Sequence, residues 1–360
     1  MPDHGPAYRE YAYVTNGKSN TVTAIDLRTF QPAKTIRVGS EPSGIAANNR
    51  KNEIYVVNTN SSNISVIDAE KNAVVATIGV HSTPYFIDVS PDGRRAYVAN
   101  SGSANVSVLD LDRRTVIATI RVGASPGLAR VSPDGKIVAV SNRGDDTLSL
   151  VDTASLNVRS SLAICKQPQD IRILPDSSKA FVACPAAGQV ASIDLRSDKV
   201  VALLDVGKAP VGLALKPDGG EMAVTNFNSN DISVIETSTD EVAGTYLVGT
   251  NPSQAVVSSD NSRLYVSNFS SDTLGVYDFD LGKIVAAVQV GSRPDALAIS
   301  PAGNDILVVD SQAGDVAVVH HNGSPRKFEK EYYLLTIVPV GLQPNDIVVK
   351  SFVLGSPAKQ

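Results

Sequence analysis

A handful of side chains in this sequence are equipped to do chemistry, and each interrupts a repeating pattern. His81 opens the stretch HSTPYFID, residues 81–88, where the matching stretches GSEPSGIA (39–46), GASPGLAR (123–130), GKAPVGLA (207–214) and GSRPDALA (291–298) begin with Gly. An imidazole exchanges a proton near neutral pH, and Asp88 or Asp170 could orient it as a general acid or base. The plainer reading is a surface histidine without a task. Four residues after their Pro, three consecutive copies carry Asp88, Arg130 and Arg172, where the others have Ala46, Ala214, Val256, Ala298 and Val348. Two guanidiniums suit a carboxylate or phosphate through paired hydrogen bonds. The structural alternative is an ion pair between Asp88 and Arg130. Around the same motif stand Glu41, Gln167, Gln169, Arg293, Asp295 and Asp346, and a second turn contributes Arg143, Phe227 and Phe269. With Tyr85 and Phe86 they would form a mouth with an aromatic and a charged sector, suited to an amphipathic small molecule.

The pattern that these residues interrupt has a fixed period. AYVTN ends at Asn16, IYVVN at Asn58, AYVAN at Asn100, VAVSN at Asn142, FVAC at Cys184, MAVTN at Asn226, LYVSN at Asn268 and LVVD at Asp310, each 42 residues after the last. Val-Gly with Pro three residues on recurs in step, and its last copy, Val340-Gly341-Pro344, comes eight residues late. One unit reads as four short strands, YFIDVS, RRAYVAN, VSVLD and VIATIRV, separated by Pro, Gly, Asn, Asp and Ser. An all-β unit of this length is a propeller blade. The chain begins at a second strand (EYAYVTN) and ends on a first strand (PNDIVVKS, 344–351), so the last strand should complete the N-terminal blade and close the ring. The expectation is one eight-bladed β-propeller domain over 1–360, with an insertion at 321–333 on the face opposite the funnel. First strands would line the central tunnel. The lead-in loops before them and the turns after second strands would share the top face, the default place for a ligand. The recurring Asn at the end of strand two, and the acid at the end of strand three, read as structural because every blade reuses them.

These repeats resemble the YVTN family of β-propeller repeat proteins. Tyr13-Val14-Thr15-Asn16 is the tetrapeptide of its name, and the SPDG turns at 90–93 and 132–135 follow its pattern. The resemblance covers nearly the whole chain; it implies the fold and leaves function open. Some propellers akin to this family hold a d-type haem through a His, a part that only His81 is placed to play. Quinone-binding ones carry tryptophan signatures, and Trp is 0 here. Calcium-dependent lactonases use a carboxylate and amide cluster, which Glu41, Asp170, Asn251 and Asp346 would have to supply. No cofactor is therefore expected; haem and a divalent cation stay as alternatives, with no metal ligand set assigned.

Cys165 takes the place of the repeat's Gly and Cys184 that of its Asn, both in one blade. They form either a disulfide across the hairpin or two small buried hydrophobes. His320 and His321 begin the insertion and read as part of a solvated loop. The net charge of −5 and the lack of a Lys/Arg-rich run argue against nucleic acid. No apolar run is long enough to span a membrane. The start, MPDHGPAYREYAYV, shows no leader pattern, so the chain as written reads as cytoplasmic, or as secreted or periplasmic if a leader was removed. Three functions remain: a binding propeller holding a small molecule or a protein partner in the top funnel; a cofactor-independent lyase, isomerase or lactone hydrolase using the same funnel; and an exported scaffold.

Overall fold

A computed structural model describes residues 5–323, 326 and 329–355; Ser324, Pro325, Lys327 and Phe328 of the expected insertion lie outside the described residues. Among the described residues, thirty-two strands form eight four-stranded antiparallel sheets. We number the blades by their inner strands: Pro42–Ala47 (blade 1), Pro84–Val89 (2), Pro126–Val131 (3), Ile171–Ile173 (4), Pro210–Leu215 (5), Pro252–Val257 (6), Pro294–Ile299 (7) and Pro344–Val353 (8). Each inner strand touches the next around the ring, and blade 8 returns to blade 1. The expected closure is present: Pro344–Val353 pairs with Tyr8–Asn16, with Ala12 opposite Val349.

The strands are arranged by where their side chains can be buried. Second and third strands are buried on both faces, as in Arg95–Asn100 and Asn105–Asp110, because each blade is sandwiched between two others. Fourth strands such as Ala73–Gly79 form the outer rim and are mostly half-buried or exposed. The core is accordingly divided into eight clusters, each shared by two neighbouring blades. One of them joins Tyr97, Val106 and Val108 of blade 2 to Ala129, Val138 and Val140 of blade 3. Turns are set by local chemistry. In Ser90–Gly93, Ser90 accepts the Gly93 amide at 2.8 Å and Gly93 has φ +69°. A Cβ there would stand 2.5 Å from Asn48 Oδ1, so Gly is required.

At the top of blades 1, 3, 5, 6 and 8 the recurring Asn and Gly meet, and in blade 2 His81 stands in place of the Gly while Asn100 is kept. Asn58 Nδ2 donates to Asn63 and Ser65 at 2.8 and 2.9 Å, which locks the turn between strands two and three. Gly39 lies so close to it that an added Cβ would be 2.7 Å from the Asn58 side chain. In blade 4 both partners are replaced together: Cys165 and Cys184 form a disulfide with Cα atoms 5.7 Å apart. In blade 7 the Asn is Asp310. Its Oδ2 accepts the Gly291 amide at 3.0 Å, and it faces Asp315, which occupies the position of Asp231 in the Asn226–Asp231 pair of blade 5. Oδ1 of Asp310 and Oδ1 of Asp315 are buried without a partner. Burial first, and then the neighbouring Asp315, push the Asp310 carboxyl up to about 8, so the pair shares a proton at neutral pH.

A folded-state affinity for protons above that of the unfolded chain makes stability fall as pH rises from the ordinary carboxylate range through about 8. Asp310→Asn restores the amide donor and removes that loss. It should raise stability by about 2 kcal/mol at pH 8 and by little at pH 4, read as the pH dependence of the urea midpoint. The disulfide makes a second prediction: Cys165→Ala/Cys184→Ala should cost about 2–4 kcal/mol, measured in the same titration, and Cys165→Gly/Cys184→Asn should not fully recover it, because Ala191 stands where blade 1 has the Ser65 hydroxyl.

Candidate functional site

On the ring axis, opening to the top face, lies a cavity of 380 Å³ to which all eight blades contribute. Its polar wall comprises Arg130, Gln169, Asp170, Arg172, Gln254, Asp295, Asn345 and Asp346, and Phe86 and Tyr85 form an aromatic side. Two larger hollows of 610 Å³ lie elsewhere, one around the Arg50, Arg94 and Arg95 turns and one on the rim against Tyr333. Neither gathers the departures from the repeat, and the axial cavity does.

The inner strands reach this cavity as sheet edges, so some of their amides have no ladder partner. Three carboxylates supply the missing acceptors in one recurring way. Asp88 accepts the amide of the following residue, Val89, at 3.1 Å and the repeat-equivalent amide of the next blade, Val131, at 3.0 Å. Asp170 does the same with Ile171 at 2.9 Å and Leu213 at 3.0 Å. Asp346 does so with Ile347 at 2.8 Å and Ile45 at 3.2 Å. Blades 2 and 3, 4 and 5, and 8 and 1 are thereby tied. Burial pushes the carboxyls of Asp88 and Asp346 up, against the pull of these amides, and Asp346 reaches about 6.

The arginines are treated differently. Arg172 is paired with Asp170, Nη1 to Oδ1 at 3.0 Å. Burial works against its charge, and Asp170 offsets part of that cost. Among the described residues Arg130 has no ion-pair or hydrogen-bond partner, and its Nε is buried. Its guanidinium lies over the Phe86 ring, 4.5 Å from the centroid. The expected ion pair between Asp88 and Arg130 is not a direct contact, since the oxygens of Asp88 meet backbone amides, but the Arg130 charge still works against the upward push of burial on the Asp88 carboxyl. At the rim, Arg143 lies over Tyr85 at 4.7 Å, and Tyr85 is 42% exposed.

Several sequence candidates fall outside the cavity wall. His81 is one: its Nε2 is 3.0 Å from the Thr119 hydroxyl on the outer strand Thr115–Arg121, so its ring reaches toward the periphery. Its expected partners Asp88 and Asp170 are occupied as blade ties. Glu41, Gln167 and Arg293 each precede the Pro at φ of 54–56°, where the chain turns its corner, and they are exposed on the top face. Asn251 sits at the equivalent corner, donating its amide side chain to the Phe227 carbonyl at 2.8 Å. Arg293 stacks on Phe269 at 5.5 Å, and Phe269 on Phe227 at 6.0 Å, making a ledge beside the cavity. Conversely, Ser43, Gln254 and Asn345 line the cavity unforeseen. They stand one or two residues after the Pro, and comparing those two positions across blades would have found them.

The family model described as Cytochrome D1 heme domain matches residues 48–178. No curated protein sequence matches the chain. Among solved structures, the dihydro-haem d1 dehydrogenase NirN in complex with DHE is similar with a TM-score of 0.75 and 16% identity, over 94% of this chain and 74% of that one. The hydrazine synthase of Kuenenia stuttgartiensis is similar with a TM-score of 0.61 and 22% identity, over 74% and 91%. A protein of unknown function from Desulfotomaculum acetoxidans gives 0.64 and 16%, over 83% and 99%. At these identities the likeness is one of fold, and it agrees with the eight-bladed ring.

The blade ties predict a structural effect. An Asn at position 170 keeps one acceptor oxygen and turns an amide donor toward the second backbone N–H. Asp170→Asn should cost about 2–3 kcal/mol in urea unfolding, and Arg172→Leu alone should cost less, because it leaves both amides satisfied.

Proposed function

We propose that the protein is a binding propeller whose axial funnel holds a small molecule bearing an oxyanion, with Arg130 as the anchor. The observation that carries this reading is the Arg130 guanidinium: charged, set on an aromatic face, in a cavity wall, with no hydrogen-bond acceptor among the described residues. Buried charged donors without a partner are costly, and an incoming carboxylate or phosphate would supply two acceptors in the geometry that a guanidinium prefers. Arg172 stands near enough to add to the field, and Phe86 and Tyr85 offer apolar contact to the rest of the ligand. The YVTN-type repeat supports the frame only.

The Cytochrome D1 match and the NirN likeness bring a tetrapyrrole to mind as the ligand class. The carboxylate arms of such a molecule would suit Arg130 and Arg172. An iron held by this chain would not: among the described residues no His, Cys or Met lines the cavity, and His81 is engaged at the periphery. Haem ligation through His81 is therefore not part of the proposal. The enzyme reading loses its acid–base residue for the same reason, and no further observation favours it.

The test is calorimetric titration of the full chain with benzoate, phosphate and the iron-free porphyrin dicarboxylate protoporphyrin IX. At least one should bind saturably, and Arg130→Met should weaken it 10–100-fold, the equivalent of about 1.4–2.8 kcal/mol. Affinity should rise as pH falls through about 6, where Asp346 gains its proton and the cavity loses a negative charge. Affinity unchanged in Arg130→Met would sink the proposal.

A further inference from the structure

The cavity has a second uncommitted charge. Of the carboxylates in its wall, Asp170 is held by Arg172 and two amides, and Asp346 by two amides. Among the described residues the Asp295 carboxyl has neither an ion pair nor a backbone amide; the nearby Ser253 hydroxyl, which donates to the Asp295 main-chain carbonyl at 3.4 Å, works against the effect of its burial. It lies on blade 7, one residue after Pro294, and lines the same cavity as Arg130. Arg130 belongs to blade 3. In a closed ring of eight blades, the third and the seventh are diametrically opposed. The free cation and the free carboxyl of the funnel therefore face each other across its axis.

Resting on the anion-binding reading above, we propose that the ligand is amphoteric: an oxyanion taken by Arg130 and, at its other end, an ammonium or amidinium group taken by Asp295. The arrangement has a physical logic. The charge of Arg130 is balanced only at a distance, by Asp88 and Asp346, and among the described residues neither Arg130 nor Asp295 has a direct ion-pair partner, so one bridging molecule can contact both ends. Phe86, beneath the guanidinium, and the apolar wall of Leu128, Val211, Ala255, Val256 and Leu297 would cover an aliphatic or aromatic middle. Burial pushes the Asp295 carboxyl up, and a cation beside it reverses that shift. A single-charge anion leaves this second pole unanswered; an amphoteric one neutralises both.

A homologous series measures this directly. The probes are ω-amino carboxylates from 4-aminobutanoate to 8-aminooctanoate, with hexanoate and hexylammonium as single-charge controls, titrated calorimetrically into the full chain at pH 7.5. One length should bind at least tenfold more tightly than either control, with weaker binding on both sides of the optimum. Asp295→Asn should abolish the advantage over hexanoate, which itself should bind no more weakly because a nearby negative charge is removed, and Arg130→Met should abolish the advantage over hexylammonium. Should Asp295→Asn fail to fold, Asp295→Ser, which keeps a hydroxyl beside Ser253, repeats the test. If hexanoate binds as tightly as every amino acid and depends on Arg130, the second pole is overturned and the anion-binding reading stands. Hexanoate binding that is indifferent to Arg130→Met overturns both, and a series with no saturable binding overturns the amphoteric ligand.

Discussion

The structure turns on a backbone amide with nowhere to go. Hydrogen-bonded ladders hold each sheet together, but none crosses from blade to blade, and the innermost strand of every sheet ends in an edge facing the tunnel. Buried N–H groups at such an edge need acceptors. Asp88, Asp170 and Asp346 meet this need with the same device, one carboxylate over two amides that occupy equivalent places in successive blades. The cost is a set of negative charges held out of water. The consequence for the centre of the ring is a division of labour: carboxylates that look catalytic are consumed by the frame, and the charged groups left over are few.

The repeat accommodates exceptions both singly, as at His81 and Asp310, and in a matched pair. The Gly–Asn clasp at the blade tops becomes a disulfide in blade 4 because both members change at once. Only that blade has an inner strand of three residues, Ile171–Ile173, so its loop needs another anchor. Blade 7 changes the Asn alone and keeps the acid that the Asn would have answered, which leaves two carboxylates to share one proton. The first exception adds a covalent tie and the second makes stability depend on pH.

The sequence was most informative where one rule is reused. The 42-residue spacing of Asn16, Asn58 and their successors gives the blade count, and the first strand at 344–351 gives the closing partner of EYAYVTN. Arg130 and Arg172, expected on tunnel-lining first strands, and Phe86, Asp295 and Asp346, expected at the mouth, all line the axial cavity; whether they bind anything is a proposal. The sequence was least informative about direction. His81, Glu41, Gln167 and Arg293 lie on loops over the top face, and nothing in their spacing shows that the corner before each Pro has positive φ and leaves these side chains exposed or turned outward. Nor does residue type show that Asp88 bonds amides instead of Arg130; that follows from the unpaired strand edge, a property of two blades together.

The pairing of Pro344–Val353 with Tyr8–Asn16 also sets an order of events in synthesis. Thr15 and its partner Asn345 are separated by 330 residues. A ribosome adding about 5–20 residues per second would take roughly 15–65 s to bridge them. Throughout that interval the first three strands made stand as a sheet lacking its innermost member, with the edge of Tyr8–Asn16 open to any other extended chain. The seven complete blades between can stack behind one another as they emerge, but the ring exists only once the last inner strand slots home. Newborn chains crowded on one messenger are therefore most exposed to exchanging this strand with a neighbour, a hazard that ends at the moment of closure.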